Sequence, residues 1–305
     1  MFKDVLTVAV VNFHAFRGDV ERNLSRICGY AEAGAKRGAD VIVLPETALT
    51  GYINDKNPVK EEKLHRRLAQ TVPGPATEAV CEITKKYGVY AVFGLPERDG
   101  DAVYNSAAVC LPDGTARVYR KLHLPADEFE WADRGAKPLL IDTPWGPVGV
   151  GICYDVFEYP ELLRYYRAKG ARLVLNPCAV STAVGTQHQN NSLRAAVTSS
   201  QLYIASADLF GMDGELRMQG ASSILGPGDL RSGVATYAGD AFGDLTAEQG
   251  EMHMATIDLS YTQQTPISDM FEKGDRTGKP DWRPELYKEW LEDVLNDSEW
   301  QGKYK

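Results

Sequence analysis

The sequence predicts an α/β protein whose strands are buried between helix layers. The order of elements carries this prediction, because apolar segments of strand length alternate with segments of helical periodicity. The strands are also continuous apolar runs, which is typical of sheets covered on both faces. This strand-helix-strand order occurs twice, over residues 5–11, 19–37 and 41–44 and again over residues 173–176, 186–200 and 203–208.

The first elements have clear signals. Residues 5–11 are almost entirely apolar, as in a fully buried strand, and residues 19–37 place their apolar side chains along one helical face. Gly38 follows this helix, and glycine often ends helices. The next strand, residues 41–44, is broken by Pro45 and Glu46. Two helices and one strand are then predicted, at residues 61–70, 76–87 and 89–95.

A β-hairpin is predicted in the middle of the chain. Residues 104–111 and 115–120 are separated by the turn sequence Pro-Asp-Gly at 112–114. Two further strands, residues 139–141 and 148–152, flank a second turn that is rich in proline and glycine.

Cys153 stands at a break between a strand and a helix. It directly follows the apolar run 148–152, and Pro160 fits the first position of a helix over residues 160–169. A thiol at such a break can be exposed in the crevice beyond the strand's carboxyl end, where open α/β sheets usually bind ligands. The alternative is an ordinary buried thiol, because free cysteine is among the most buried residue types.

The C-terminal part is richer in strands and then becomes polar. Residues 260–280 contain glycines and a proline, which is typical of a linker or arm, and residues 285–295 form an amphipathic segment. We therefore expect a single domain over residues 1–305, with a core at about 1–260 and an arm at about 261–305. Three further strands are predicted at residues 221–225, 234–237 and 252–259.

Charge and composition exclude several classes of protein. A net charge of −9 argues against a nucleic-acid binder, which normally carries a basic face. No window approaches the roughly 18 apolar residues of a membrane span. Five widely spaced cysteines without a CxxC pair indicate neither a disulfide framework nor a zinc site. We expect a cytoplasmic protein without a bound metal that acts on a small molecule.

Three reactive residues share one placement. Glu46 follows the strand 41–44, Lys121 follows the strand 115–120, and Cys153 follows the strand 148–152. If these strands run parallel in one sheet, an acid, an amine and a thiol meet at one edge. A thiol is mostly protonated at neutral pH and needs a base or a neighbouring cation. Glu46 is suited to take the proton, and Lys121 or a backbone N–H after Cys153 to face an oxyanion.

Each of these residues also has an ordinary structural interpretation. Glu46 suits the start of a helix, and Lys121 suits a solvated strand end. His123 is a rival base for Cys153, in an arrangement like that of papain. The placement alone leaves these alternatives open.

Three sequence blocks resemble the signature blocks of the carbon-nitrogen hydrolase family, the nitrilase superfamily. They are residues 44–52 (LPETALTGY), 119–125 (YRKLHLP) and 151–161 (GICYDVFEYPE), and they occur in the family's order of Glu, Lys and Cys. Asn176-Pro177 and residues 282–287 are also similar to family segments, so the resemblance spans nearly the whole chain. It implies an α-β-β-α sandwich, pairing into homodimers or larger oligomers, and chemistry that needs no cofactor.

The resemblance also implies roles for individual residues. Cys153 corresponds to the nucleophile, Glu46 to the general base, and Lys121 to the partner of the oxyanion and the leaving group. A second family glutamate precedes an aromatic residue and a glycine. Glu128 keeps the family-like spacing to Gly135 and is preferred, with Glu130 as the alternative; Arg134 stands where relatives often have proline. The residues expected to bind substrate are Tyr52, Tyr154, Phe157 and Asn176.

The predicted activity is hydrolysis of a small amide through a thioester on Cys153. The Cys153-Tyr154-Asp155 sequence is more similar to the amidase and ω-amidase branches than to true nitrilases, in which a Trp-Glu pair commonly follows the cysteine. One alternative is hydrolysis of an N-carbamoyl substrate, which releases carbon dioxide as well as ammonia. Another is a catalytically silent binding protein with the same fold.

Overall fold

A computed structural model describes residues 2–52, 55–228, 233–239, 249–263 and 281–302. The chain divides into two compact units, Met1–Thr262 and Gln263–Lys305. Most of the polar segment predicted at residues 260–280 lies outside the described residues, as do two positions of the loop after Tyr52. The assignment of one domain to the whole chain remains a prediction.

The first unit contains 14 described strands. In chain order they are β1 (Val5–Asn12), β2 (Val41–Val43), β3 (Tyr90–Asp99), β4 (Ala102–Cys110), β5 (Ala116–Arg120), β6 (Leu139–Thr143), β7 (Gly146–Val150), β8 (Leu173–Cys178), β9 (Tyr203–Asp208), β10 (Phe210–Asp213), β11 (Leu216–Gln219), β12 (Ser223–Pro227), β13 (Val234–Gly239) and β14 (Glu251–Asp258).

Within the described residues, these strands form two six-stranded sheets and one two-stranded hairpin. The first sheet has the order β14-β1-β2-β3-β4-β5, the second has the order β13-β12-β9-β8-β7-β6, and β10 pairs with β11. Strands β1, β2 and β3 are parallel, as are β7, β8 and β9, whereas the outer strands are antiparallel.

Nine helices lie in the described residues. In chain order they are α1 (Val20–Lys36), α2 (Leu64–Leu68), α3 (Pro75–Tyr87), α4 (Tyr154–Phe157), α5 (Pro160–Ala168), α6 (Gly185–Gln187), α7 (Leu193–Ser200), α8 (Pro284–Asn296) and α9 (Ser298–Gly302). Helices α1 and α3 pack on the first sheet, and α5 and α7 pack on the second. The two sheets also contact each other, so the layers run α-β-β-α and the predicted fold class is confirmed.

The side chains of β1 show how one sheet serves two apolar layers. Val8 and Val10 lie in the core between the sheets, while Ala9 and Val11 point into the layer beneath α1 and α3. Because successive side chains of a strand alternate between faces, a strand buried on both sides must be apolar throughout. This explains the continuous apolar run in the sequence.

The predicted helices differ from the observed ones in detail. The helix expected at residues 61–70 is a 3₁₀ turn, Lys60–Glu62, followed by the five-residue α2. The helix expected at residues 186–200 contains a π-helical turn, His188–Ser192, between α6 and α7. The hairpin of β10 and β11 was not predicted, because its strands have four residues each and adjoin glycines with positive φ, which mask a strand pattern.

The second unit contains α8 and α9. Helix α8 contains the amphipathic segment predicted at residues 285–295 and begins at a proline, and Trp290, Leu291 and Leu295 are exposed along it. None of the helices that the structure describes is both long and apolar enough to cross a membrane.

Candidate active site

Glu46 is fixed by a close approach of two backbone segments. It lies three residues after the end of β2. Its N–H donates to the carbonyl of Cys178 (3.2 Å), and Gly94 on β3 donates its N–H to the carbonyl of Pro45 (2.8 Å). A Cβ atom at Gly94 would lie 2.2 Å from the nitrogen of Thr47. Only glycine fits there, and this contact holds the fully buried Glu46 in place.

Lys121 is held by backbone hydrogen bonds on both sides. Its N–H donates to the carbonyl of Asn105 on β4 (2.8 Å), and its own carbonyl accepts the N–H of Gly135 (2.8 Å). A Cβ atom at Gly135 would lie 2.2 Å from the carbonyl oxygen of Arg120, so this approach also requires glycine. The side chain of Lys121 is fully buried and therefore needs anionic partners.

Two carboxylates supply those partners. Lys121 Nζ donates to Glu46 Oε1 at 2.7 Å and to Glu128 Oε1 at 2.6 Å. The hydroxyl of Tyr52 donates to the same Glu128 oxygen at 3.0 Å. Glu130 instead pairs with Lys63 at 2.7 Å and lines a cleft of about 480 Å³. The geometry brings Glu128, not Glu130, into contact with Lys121.

Cys153 comes from the other sheet. It follows β7, whereas Glu46 and Lys121 follow strands of the first sheet, so the condition that all three strands belong to one sheet is wrong. Cys153 has φ 48° and ψ −106°, a strained conformation for a residue with a side chain. Its N–H donates to Asn176 Oδ1 (2.9 Å) and to the carbonyl of Pro177 (3.0 Å), and these bonds hold the strained turn.

Burial controls the proton affinities at the site. Burial raises the pKa of Glu46 to about 7, although the Lys121 ammonium opposes this shift. A hydrogen bond with the Cys178 thiol and burial raise the pKa of Cys153 well above its usual range; Glu46 adds to this and Lys121 opposes it. Burial on its own lowers the pKa of Lys121. The charges of Glu128, Glu46 and Cys153 raise this pKa by more, so it lies well above its usual value and the amine stays charged. The resting site therefore holds a protonated thiol near a charged amine.

The two oxygens of Glu46 have different surroundings. Oε1 accepts hydrogen bonds from Lys121 and from Asn105, each at 2.7 Å. Oε2 is buried and has no hydrogen-bond partner among the described residues. An acceptor oxygen is thus left free in a site where a thiol has a proton to lose.

Asp155, directly after the Cys153-Tyr154 pair, joins the thiol segment to the lysine segment. Its buried carboxylate accepts the Tyr119 hydroxyl (2.7 Å) and the N–H groups of Leu122 (3.0 Å) and His123 (2.9 Å). His123 Nδ1 also contacts Asp155 Oδ1 at 2.8 Å. The His123 ring stacks on Tyr159 with its side chain 39% exposed, so its observed contacts are with Asp155 and Tyr159.

The four residues expected to bind substrate have different surroundings. Tyr52 contacts Glu128, and Asn176 holds the backbone of Cys153 and donates to Ser206 Oγ at 3.0 Å. Tyr154, the first residue of α4, packs edge-on against Tyr159 with ring centroids 5.4 Å apart. Phe157 lies in the core of the second sheet and stacks on His188. Among these four residues, the hydrogen bonds and ring contacts of the described chain connect only Tyr52 to the Lys121 cluster.

Two residues with important contacts were missed in the sequence. Asn105 donates to both Glu46 and Glu128, and Asp155 organises the segment around Lys121. Asn105 lies inside a predicted strand, where a polar residue ahead of the apolar run 107–111 is the only available signal. Asp208, at the end of β9, is a further buried acid whose pKa burial raises to about 8. Across the described ranges, no group of three or more His, Cys, Asp and Glu side chains is arranged to hold a metal.

The protein is similar to known amide-hydrolysing enzymes. An omega-amidase NIT2 of Danio rerio is 32% identical over 276 residues, which cover 86% of this chain and 92% of that protein. A chloroplastic omega-amidase of Arabidopsis thaliana is 33% identical over 221 residues, 68% of this chain and 59% of that protein.

The fold is also shared with a solved amidase. The crystal structure of an amidase from Nesterenkonia sp. superposes with a TM-score of 0.73 at 22% identity, covering 95% of this chain and 98% of that one. A family model of carbon-nitrogen hydrolases matches residues 7–267, a range that includes Glu46, Lys121, Glu128 and Cys153. The chain therefore belongs to the carbon-nitrogen hydrolase family.

Proposed function

We propose that the protein is an amidase that cleaves the C–N bond of a small amide through a thioester on Cys153. The observation that carries this proposal is the free, buried Oε2 of Glu46 beside a charged Lys121 and a strained, protonated Cys153. This arrangement provides a nucleophile, a base with a suitable proton affinity and a fixed positive charge.

The first half of the reaction forms the thioester. Glu46 Oε2 takes the thiol proton as the sulfur attacks the amide carbon, and the carbonyl oxygen becomes an oxyanion. The ammonium of Lys121 stabilises this charge, because a fixed cation in a buried site needs no reorganisation. Protonated Glu46 then gives its proton to the nitrogen, and ammonia leaves.

The second half releases the acid. Glu46, now ionised again, removes a proton from water, and the resulting hydroxide attacks the thioester carbon. The sulfur leaves and recovers a proton from Glu46, which restores the resting site. Glu128 stays hydrogen-bonded to Lys121 and Tyr52 throughout and holds the ammonium in position.

The substrate class follows from the relatives rather than from the pocket. Two of them carry the name omega-amidase, so we propose a terminal amide on a small molecule as the substrate. Loops that border the site, such as residues 126–134 and 179–187, are expected to select the acyl group.

Parallel measurement of ammonia and carbon dioxide tests this proposal. The substrates are short amides, dicarboxylic monoamides and N-carbamoyl amino acids, and the variants are wild type and Cys153→Ala. We expect ammonia without carbon dioxide, lost in the variant. Equal release of carbon dioxide would make the enzyme a carbamoylase, and no release from any substrate would favour a silent binding protein.

A pair of substitutions distinguishes the two candidate bases. Glu46→Gln is expected to lower turnover about 10²- to 10⁴-fold, because glutamine cannot take the thiol proton. His123→Ala is expected to retain most of it, because the contacts of His123 are with Asp155 and Tyr159. Full activity in Glu46→Gln together with inactivity in His123→Ala would exclude Glu46 as the base.

We further propose a cytoplasmic homodimer or larger homo-oligomer. All five cysteines lie in the described part of the chain and are free thiols, which suits a reducing compartment. Helices α5 and α7 pack side by side on the outer face of the second sheet and are the proposed interface.

A further inference from the structure

Asn105 closes a ring of four buried side chains. Its Nδ2 donates to Glu46 Oε1 at 2.7 Å and to Glu128 Oε2 at 3.1 Å. Lys121 Nζ donates to the same two carboxylates. In this ring the two carboxylates accept hydrogen bonds and alternate with two donors. One donor, Lys121, is charged, and the other, Asn105, is neutral.

The orientation of the Asn105 amide follows from these partners. Both neighbours are carboxylates, which accept hydrogen bonds, so the NH₂ end must face them. Its Oδ1 is buried and has no partner within the described part of the chain. An unpaired buried carbonyl destabilises the fold, so packing alone does not explain an amide at this position. The hydrogen bonds to the two carboxylates explain why an amide stands there.

The charges of the ring show what the amide contributes. Two carboxylates and one ammonium leave one uncompensated negative charge, and like charges in a buried site favour uptake of a proton by one acid. A neutral donor shared by both carboxylates stabilises their ionised forms. The amide adds no positive charge. A second positive charge would lower the proton affinity of Glu46 and weaken it as a base.

The backbone of the same residue holds the lysine. The carbonyl of Asn105 accepts the N–H of Lys121 at 2.8 Å, so one residue of β4 contacts Lys121 through its backbone and both acids through its side chain. It also occupies Oε1 of Glu46, which leaves Oε2 as the free oxygen.

We propose that Asn105 is a positioning residue that keeps Glu46 ionised and directs its free oxygen toward the thiol of Cys153. This inference rests on the proposed amidase function and adds a residue to its machinery. Asn105 acts through Glu46 and Glu128, not on the substrate.

The test compares three variants. Asn105→Ala removes the donor, and Asn105→Asp keeps the size but replaces the donor by a third acid. Ser106→Ala is the control, because Ser106 is the next residue of β4, equally buried, and donates to Glu97 (2.6 Å) outside the ring. For each protein, the pH dependence of kcat/KM and of Cys153 alkylation by iodoacetamide is measured.

Asn105→Ala is expected to move the acid limb of both profiles upward by about one pH unit and therefore to lower kcat/KM at pH 7 about fivefold. Asn105→Asp is expected to lose more activity, because its acid repels the other two. Ser106→Ala is expected to leave the acid limbs of both profiles at their wild-type positions.

The outcomes separate this inference from the function on which it rests. If wild type hydrolyses amides but neither Asn105 variant moves either limb, Asn105 has only a structural role and the inference is wrong. If wild type hydrolyses nothing while the alkylation limb still moves in Asn105→Ala, the proposed function fails and the role of Asn105 stands. The alkylation profile needs no substrate, so it decides the inference in either case.

Discussion

At the scale of single residues, the site depends on the unequal surroundings of the two oxygens of Glu46. Oε1 is occupied by two donors, which fixes the carboxylate, and Oε2 is unpaired in the part of the chain that the structure describes. Burial raises the pKa of this acid to about 7, so its proton affinity matches neutral conditions.

The first prediction concerns the acid limb of activity. Glu46 must be ionised to accept the thiol proton, so kcat/KM is expected to rise with pH through about 7 and to fall as Glu46 is protonated below it. A pH-rate profile from about 5 to about 9 on an amide substrate measures this. Glu46→Gln should lose about 10²- to 10⁴-fold. Glu130→Gln is the matched control, since Glu130 pairs with Lys63. A shift of the acid limb in Glu130→Gln, and not in Glu46→Gln, would contradict the assignment of this limb to Glu46.

The second prediction concerns Cys178. Its thiol donates to the carbonyl of Asn176 at 3.3 Å. A hydrogen bond between the Cys178 and Cys153 thiols stabilises the neutral form of Cys153. This hydrogen bond raises the pKa of Cys153, and Cys178→Ala is expected to lower that pKa. The pH dependence of iodoacetamide labelling at Cys153, followed by peptide mass spectrometry, measures the change. Cys110→Ala is the control, and an unchanged midpoint in Cys178→Ala would contradict the hydrogen bond's role.

At the scale of elements, the site needs strand ends that approach each other closely. Strand β3 passes beneath the turn that carries Glu46, and Gly94 makes this possible because it has no Cβ atom. The glycine is visible in the sequence, but a single sequence does not reveal which segment approaches it. The strands and the residues that follow them could be predicted from apolar runs. Their pairing across two sheets could not, because it depends on contacts distant in sequence.

The third prediction tests this close approach. Gly94→Ala places a Cβ atom 2.2 Å from the nitrogen of Thr47, so the backbone must shift. We expect a loss of about 1–3 kcal/mol in the free energy of unfolding, and a loss of amidase activity at temperatures where the variant is folded. Thermal unfolding and an ammonia assay measure the two effects.

Gly29→Ala is the control for that substitution. Gly29 lies inside α1, and outside its own helix backbone and chain neighbours no described atom lies within 4 Å of the position that an added methyl group would take. Alanine is favoured over glycine in a helix interior by up to about 1 kcal/mol. This variant should keep or gain stability and keep its activity. Equal behaviour of the two alanine variants would show that Gly94 has no special role.

At the scale of the whole molecule, the site is a product of the sandwich. Glu46 and Lys121 come from one sheet and Cys153 from the other, so the two sheets must face each other before these three side chains can form the proposed site. The residue types and their order were enough to predict Glu46, Lys121 and Cys153 as candidates. Asn105 and Asp155 could not be recognised, because their partners lie on other strands and become neighbours only in the fold.

The last prediction concerns assembly. Tyr165 is 39% exposed on α5, in a helix whose neighbouring Tyr166 is buried, and an outward aromatic side chain suits an interface. Light scattering is expected to give at least twice the chain mass of 33.6 kDa. Tyr165→Glu should shift the protein toward monomer, because it places a charge in a contact that excludes water. Met212→Glu, at an exposed residue of β10, should not. A monomeric wild type would overturn the proposed assembly, whereas an unchanged mass in Tyr165→Glu would exclude α5 from the interface.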